Sequence, residues 1–284
     1  SLWQGSLKQA LINSALGPWH LPKPMHLSFQ LQPQQLRIDQ HCWQQRQSML
    51  CLEKPLLLSE RSTEFTLGLT DFDLATLNGL LPADTSVQGQ INAHAQLVMQ
   101  RGNLPSLRLS IAGESGLLTQ QLQTELVFPW HSISLTSQLQ DDILTNNLQL
   151  KLTDTASFDA SVAIAQLQQG EQQLSGEIKL QQLAIDFLQP LLGEFSQFQG
   201  SLGSNIQVSG TLNSPLLSGD IRLSDAKVKG KQAPTDIENA DINVNFSGQQ
   251  ANLTGTITTP NGELKLTGNA TWPTLDAWQA NINL

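Results

Sequence analysis

Residues 238–268 read ENADINVNFSGQQANLTGTITTPNGELKLTG. Ile242, Val244 and Phe246 alternate with Asp241, Asn243 and Asn245. Leu253 and Ile257 follow a short turn, and Leu264 and Leu266 come after Pro260-Asn261-Gly262. Successive side chains of a strand point to opposite faces, so each run is a strand with one oily face and one wet face. The same alternation recurs in Leu27, Phe29, Leu31; Phe65, Leu67, Leu69; Ile91, Ala93, Ala95, Leu97, Met99; and Leu107, Leu109, Ile111. It continues in Leu148, Leu150, Leu152; Phe158, Ala160, Val162, Ile164; Ile178, Leu180; Ile206, Val208; and Ile221, Leu223. Gly, Asn, Ser and Pro punctuate the gaps. The pattern predicts about fifteen strands of roughly five to seven residues joined by short turns, in antiparallel sheet with one solvated face.

Helical spacing is confined to three places. Leu7, Ala10, Leu11 and Ala15 suggest a short N-terminal helix. Leu74, Leu77 and Leu81 suggest a second, with Asp73 as its N-cap, and Ile185, Leu188 and Leu192 a third. The last two belong to a repeat at an offset of 111 residues. Leu69 then meets Leu180, Leu74 meets Ile185, Leu77 meets Leu188, Gly89 meets Gly200 and Leu97 meets Val208. The reading is a repeated unit of strand, short helix, Gly turn and further strands, and chance similarity within a β-rich chain is the alternative. The expected layout is residues 1–60 as an N-terminal helix with a cysteine hairpin, then β-repeats over 61–170 and 171–284.

Cys42 and Cys51 are the two cysteines of the chain. With Arg46 and Gln47 at the tip of a hairpin they face each other, which suits a structural disulfide of an oxidising compartment. Two neighbouring free thiols are the alternative reading. A metal site is disfavoured, because only His41 stands beside them and a four-ligand set is missing.

The chain has 284 residues, a net charge of -9 and only 14% charged residues. That balance, with no Lys/Arg cluster, argues against nucleic acid as a partner. Purely apolar runs such as Leu56-Leu57-Leu58 are far too short to span a bilayer, and no basic stretch followed by an apolar signal-like core is seen. The first residues and the final Ala280–Leu284 run read as interior stretches of a longer protein that was cut mid-strand.

Little here points to catalysis. None of the five histidines, His20, His26, His41, His94 and His131, pairs at metal-ligand spacing, and His94 falls on the wet side of its strand. Asp141-Asp142 reads as a solvated turn. Gly113-Glu114-Ser115-Gly116 fails the nucleophile-elbow spacing, and Gly230-Lys231 lacks the rest of a phosphate loop. A β-helix carbohydrate enzyme would need carboxylates clustered on one strand face, and none are. No cofactor and no enzyme activity are expected. Trp272 and Trp278 suit a sugar or lipid surface, though packing at a sheet edge is the commoner use.

Three short helices cannot cover the oily side of so many strands. Such a sheet can pack on a second sheet, close into a barrel, or curl into a trough whose inside awaits a ligand. The repeat, the weak charge and the mid-strand ends favour the trough. The expected fold is therefore all-β: a long, curved, mostly antiparallel sheet with an apolar interior, few helices and internal repeats.

The stretch FQGSLGSNIQVSGTLNSPLLSGDIRLSDAKV, followed by the I-x-N, V-x-F and G-x-L-x-L-x-G phrases up to Trp272, resembles the repeating phrase of the C-terminal region of the TamB family. The Cys42–Cys51 hairpin also resembles a TamB disulfide hairpin. The wider AsmA-like group shares the style and is the second resemblance. The TamB resemblance implies a periplasmic protein whose inner-membrane anchor lies outside this chain, and an outer-membrane barrel, TamA, as partner. It also implies a link to outer-membrane protein assembly and phospholipid movement, through a taco-shaped trough. An acyl chain of sixteen carbons exposed to water costs roughly 13 kcal/mol at ~0.8 kcal/mol per CH₂, so a dry conduit removes a real barrier. Small residues such as Ala93, Ala95 and Ala160 would leave room for tails. About fifteen strands would build about 70 Å of trough. The expected lining is Val162, Ile164, Ile206, Val208, Ile221, Leu223, Ile242, Val244, Phe246, Leu253, Leu264 and Leu266. Templating of client outer-membrane strands along an open sheet edge is the alternative role.

Overall fold

In the computed structural model, residues 2–283 are described apart from 33, 60–61, 123, 169, 193–196, 231–234 and 275–276. Lys231 and Leu284, singled out above, lie outside the described residues, as does the side chain of Leu192. About 74% of the chain is strand and 5% helix, so the all-β expectation holds.

Alternating residues zip into β1 (Leu2–Leu7), β2 (Leu11–Ser14), β3 (Gly17–His20), β4 (Met25–Gln30), β5 (Gln35–Ile38), β6 (His41–Gln45), β7 (Ser48–Leu52) and β8 (Leu56–Ser59). Then come β9 (Ser62–Asp73), the 3-10 helix η1 (Leu74–Leu80), β10 (Thr85–Gln88), β11 (Gln90–Gln100), β12 (Ser106–Gly113), β13 (Gly116–Gln121), β14 (Glu125–Trp130) and β15 (Ser132–Gln140). The remainder is β16 (Ile143–Lys151), β17 (Ser157–Ala165), β18 (Gln173–Ala184), the 3-10 helix η2 (Asp186–Leu192), β19 (Gln197–Gly210), β20 (Pro215–Lys229), β21 (Ile237–Gly248), β22 (Gln250–Thr259), β23 (Gly262–Thr274) and β24 (Ala277–Asn283).

The chain divides into two units, 1–118 with 132–144 and 119–131 with 145–284. In the first, β3, β6, β7, β9, β11, β12 and β15 pair in that order, all antiparallel, and β1, β4, β5 and β8 form a smaller sheet. In the second, β17 to β24 form a meander in which each strand pairs with its sequence neighbours. Among the described ladders β24 pairs with β23 alone, so this sheet is not closed into a barrel.

The expected N-terminal helix is wrong. Leu7 ends β1 and Leu11 begins β2. Four apolar residues over nine positions give too short a helix to stand without tertiary support. Gly17, at φ 100°, instead turns the chain so that Ile12 opposes Trp19, which is buried. The other two helices exist but are 3-10 turns. Asp73 does cap η1, accepting the Ala75 N–H at 2.9 Å, whereas Leu81 lies just beyond its end.

Strands β18 to β23 run 10 to 15 residues, longer than expected. Bulges let them continue through bends where a turn would otherwise be needed. Asp71, Gln182 and Asp225 adopt φ of 52°, 43° and 53° inside β9, β18 and β20. At each, the apolar spacing changes from two to three: Leu69 to Phe72, Leu180 to Leu183, Leu223 to Ala226. The ladder register slips at the same places. Neighbouring strands satisfy the displaced amides where a suitable side chain stands opposite. The Asp71 N–H donates to Asn92 Oδ1 (2.9 Å), and the Asp225 N–H donates to Asp241 Oδ1 (3.0 Å).

The repeat is present in the backbone. Phe72 pairs with Ile91 and Leu69 with Ala93; 111 residues on, Leu183 pairs with Leu202 and Leu180 with Ser204. The Leu74 N–H donates to the Gly89 carbonyl (2.9 Å), as the Ile185 N–H does to that of Gly200 (3.1 Å). Gly89 and Gly200 have φ of 137° and 140°.

The solvent-accessible surface is 17556 Å². A compact monomer of this mass exposes about 12,000 Å², and two separate compact halves about 14,500 Å². Apolar side chains here are therefore covered incompletely. No side chain of any size among the described residues is fully buried.

Candidate functional site

Directly opposed residues of an antiparallel sheet share a face, so ladder register says which side chains stand together. In the second unit one row runs Phe158, Leu180, Ser204, Ile221, Val244, Leu253 and Gly268. The next runs Ala160, Ile178, Ile206, Gly219, Phe246, Ala251 and Ala270. A third holds Val162, Gly176, Val208 and Leu217, with Ile164 opposite Leu174 beyond it. On the other side lie Leu202, Leu223, Ile242, Gly255 and Leu266, then Ala226, Ala240, Ile257 and Leu264. All twelve expected lining residues thus occur on one continuous face. Of the twelve only Val208 is buried, at 8% exposure; Leu264 is 47% exposed and the rest are intermediate.

The opposite face is mostly polar, with Ala163, Ala165 and Leu216 among the exceptions. Lys179 pairs with Glu177 (2.8 Å), Gln207 donates to Glu177 (2.7 Å), and Arg222 pairs with Asp220 (3.2 Å). A shallow concavity of about 470 Å³ on β20 to β23 is bordered by Arg222, Asn243, Thr254 and Lys265 of this face. Fixed charges therefore stay off the apolar side.

The expected lining left out Ala226, Ala240 and Ile257, which belong to the same apolar face. Ala226 falls beyond the Asp225 bulge, where period-two counting goes out of phase, whereas Ala240 continues the alternation of Ile242, Val244 and Phe246 and Ile257 that of Leu253. The signal was available as the change of apolar spacing at Leu223 and Ala226. These residues matter because η2 covers them. Ile185 (5% exposed), Ala226 and Ala240 (4% each) form a sealed cluster, with Leu188, Phe198, Leu202, Leu223, Ile237 and Ile257 packed around it. Phe187 of η2 packs on Phe128 of β14, centroids 4.4 Å apart, and Thr124 donates to the Pro190 carbonyl (3.0 Å). On the opposite margin Trp272 meets Phe246 edge-on at 6.0 Å and donates its indole N–H to the Pro215 carbonyl (3.2 Å). Trp278, by contrast, is 70% exposed on β24.

The first unit carries an apolar face of its own. Trp43, Leu50, Leu69, Ala93, Ile111 and Leu135 align across β6, β7, β9, β11, β12 and β15. Leu52, Leu67, Ala95 and Leu109 form the adjacent row. Cys42 and Cys51 are directly opposed and disulfide-bonded, with Arg46 and Gln47 between their strands. Register puts the disulfide on the polar side, in one row with Gly68, His94 and Ser110. Glu53 lies over Gly68 and meets His94 Nδ1 at 3.1 Å. Nearby, the Gln96 amide and then Lys54 hold the Glu64 carboxyl below its usual range. Asp141 and Asp142, with φ of 51° and 65°, occupy the turn after β15.

A sheet that repeats its bulge, its helix and its glycine at a fixed offset while leaving one face oily is a specific architecture. A family profile described as "TamB, N-terminal domain" matches residues 1–223. The chain belongs to the TamB family. The match is to the family's N-terminal domain, whereas the phrase from Phe198 to Trp272 had pointed to its C-terminal region. The chain is 24% identical over 286 aligned residues to the Translocation and assembly module subunit TamB of Haemophilus influenzae, covering 99% of this chain and 22% of that protein. It thus spans about a fifth of that TamB protein's length. No solved structure matches.

Proposed function

We propose that this TamB-family chain is a periplasmic stretch of an inner-membrane-anchored protein, and that it is a non-enzymatic conduit for phospholipid acyl chains between the inner and outer membranes. The observation that carries the reading is the continuous apolar face of β17 to β24, of whose twelve expected lining residues all but Val208 remain accessible. A face of this kind gives a tail somewhere dry while its headgroup stays in water. Shallow, repeated contacts suit passage better than one tight pocket. A role in outer-membrane protein assembly, with a TamA-like barrel as partner, is part of the same proposal and is supported by family membership and by a relative named as a translocation and assembly module subunit.

The test is photocrosslinking with a phosphatidylethanolamine carrying a diazirine in its acyl chain. Val244→Asp places a charge in the centre of the face at a half-buried position. It should cut labelling at least tenfold while leaving the circular dichroism spectrum unchanged. Val208→Asp is the poorer probe, because its burial couples any effect to stability. Labelling of the Val244→Asp protein equal to wild type would remove this face as the lipid path.

A second reading, a scaffold for client strands, draws on β24. All seven of its residues are exposed and one of its edges is unpaired among the described ladders. Client peptides crosslinked along β24, with no lipid adducts on the face, would favour it.

A further inference from the structure

The helix η2 lies across the apolar face itself. Its approach residue Ile185 and its own Leu188 occupy the face above Ala226, Ala240, Leu223 and Ile257 as an aliphatic ligand would. The placement is fixed from two sides. The Ile185 N–H is held by the Gly200 carbonyl, and Phe187 and Pro190 are held by Phe128 and Thr124. Trp272 stands on the other margin, tied to Phe246 and to the Pro215 carbonyl. Between them, among the described residues, the rows through Ile221, Val244 and Leu253 and through Ile206, Phe246 and Ala251 stand outside the cluster packed on Ile185.

We propose that η2 is a fixed rim that excludes acyl chains from Leu223, Ala226, Ala240 and Ile257 and confines them to the corridor between Ile185 and Trp272. This rests on the conduit reading. It narrows the path from the whole face to two cross-strand rows about 7 Å apart. A tail in the corridor runs across the strands, so it passes from each strand to the next without meeting the polar side. Leu223, although its alternation marks it as lining, then serves as packing for the rim.

The experiment uses the full chain with vesicles of phosphatidylethanolamine bearing a terminal acyl diazirine, and maps adducts by mass spectrometry. Adducts are expected on Ile206, Ile221, Val244, Phe246 and Leu253, with at least tenfold fewer on Leu223 and Ile257. In the Ile185→Ala/Phe187→Ala protein the two yields should become comparable. Leu188→Ala, which thins the cover while keeping its anchors, should fall between, and thermal melts confirm that each variant is folded. Equal labelling of Leu223 and Val244 in the wild type overturns the rim and leaves the conduit standing. Labelling on neither set takes both away.

Discussion

Gly200 holds φ 140°, and a Cβ added there would stand 2.9 Å from the Ala226 Cα and 3.0 Å from Ile185 Cδ1. Both the backbone conformation and the close approach demand glycine. Gly200→Ala should lower stability by about 1–3 kcal/mol, read as a shifted urea midpoint. The disulfide closes a loop of about ten residues, so Cys42→Ser with Cys51→Ser should cost about 2.5–3 kcal/mol in the chain-entropy model. Lipid labelling of the second unit should not change, since the bridge lies on the polar side of the first unit. Matched melts and labelling yields of the oxidised wild type and the double variant check this. At this scale the sequence was informative wherever chemistry is local. Nine residues of separation and a polar tip were enough to place Cys42 opposite Cys51.

At the scale of elements, η1 and η2 show what periodicity can and cannot say. Leucines at Leu74 and Leu77 marked a helical turn, but spacing alone does not separate a 3-10 turn from an α-helix when the run is seven residues long. In η2, Pro190 sits inside the turn as well. Asp73→Ala removes the acceptor for the Ala75 N–H and should destabilise the first unit by about 1 kcal/mol, measured by the melting temperature. The N-terminal segment failed for a different reason. Leu7, Ala10, Leu11 and Ala15 fit a helix, but the partners that decide their state, Met25 for Leu7 and His20 for Leu11, come later in the chain. The bulges at Asp71, Gln182 and Asp225 put Phe72, Leu183 and Ala226 out of step with period-two counting. Strand lengths were underestimated for the same cause.

For the whole molecule, the chief quantity is the area left uncovered. Unfolding exposes less new surface in a chain whose native state already shows 17556 Å². The urea m-value should accordingly be lower by roughly a tenth to a sixth than for sealed proteins of equal length. Equilibrium unfolding followed by fluorescence and circular dichroism measures it, and a value typical of sealed proteins would argue that the apolar faces are covered in solution. The Val244→Asp labelling experiment belongs here too, because it asks whether the exposed face is used or merely tolerated. That the oily side would lack a full second layer was legible from the count of strands against helices. Where the partial cover would fall was not, because it depends on Phe128 reaching Phe187, 59 positions later in the chain.

The bulge, the 3-10 turn and the left-handed glycine recur at one interval, and the bulge and glycine are stabilised by strands next to them in sequence. Apart from the Phe128 and Thr124 contacts that hold η2, the joint refers only to neighbouring strands. Copying a segment of 111 residues would therefore add a further stage of sheet with little redesign of those on either side. On the conduit reading proposed above, reach would then scale with the number of copied segments.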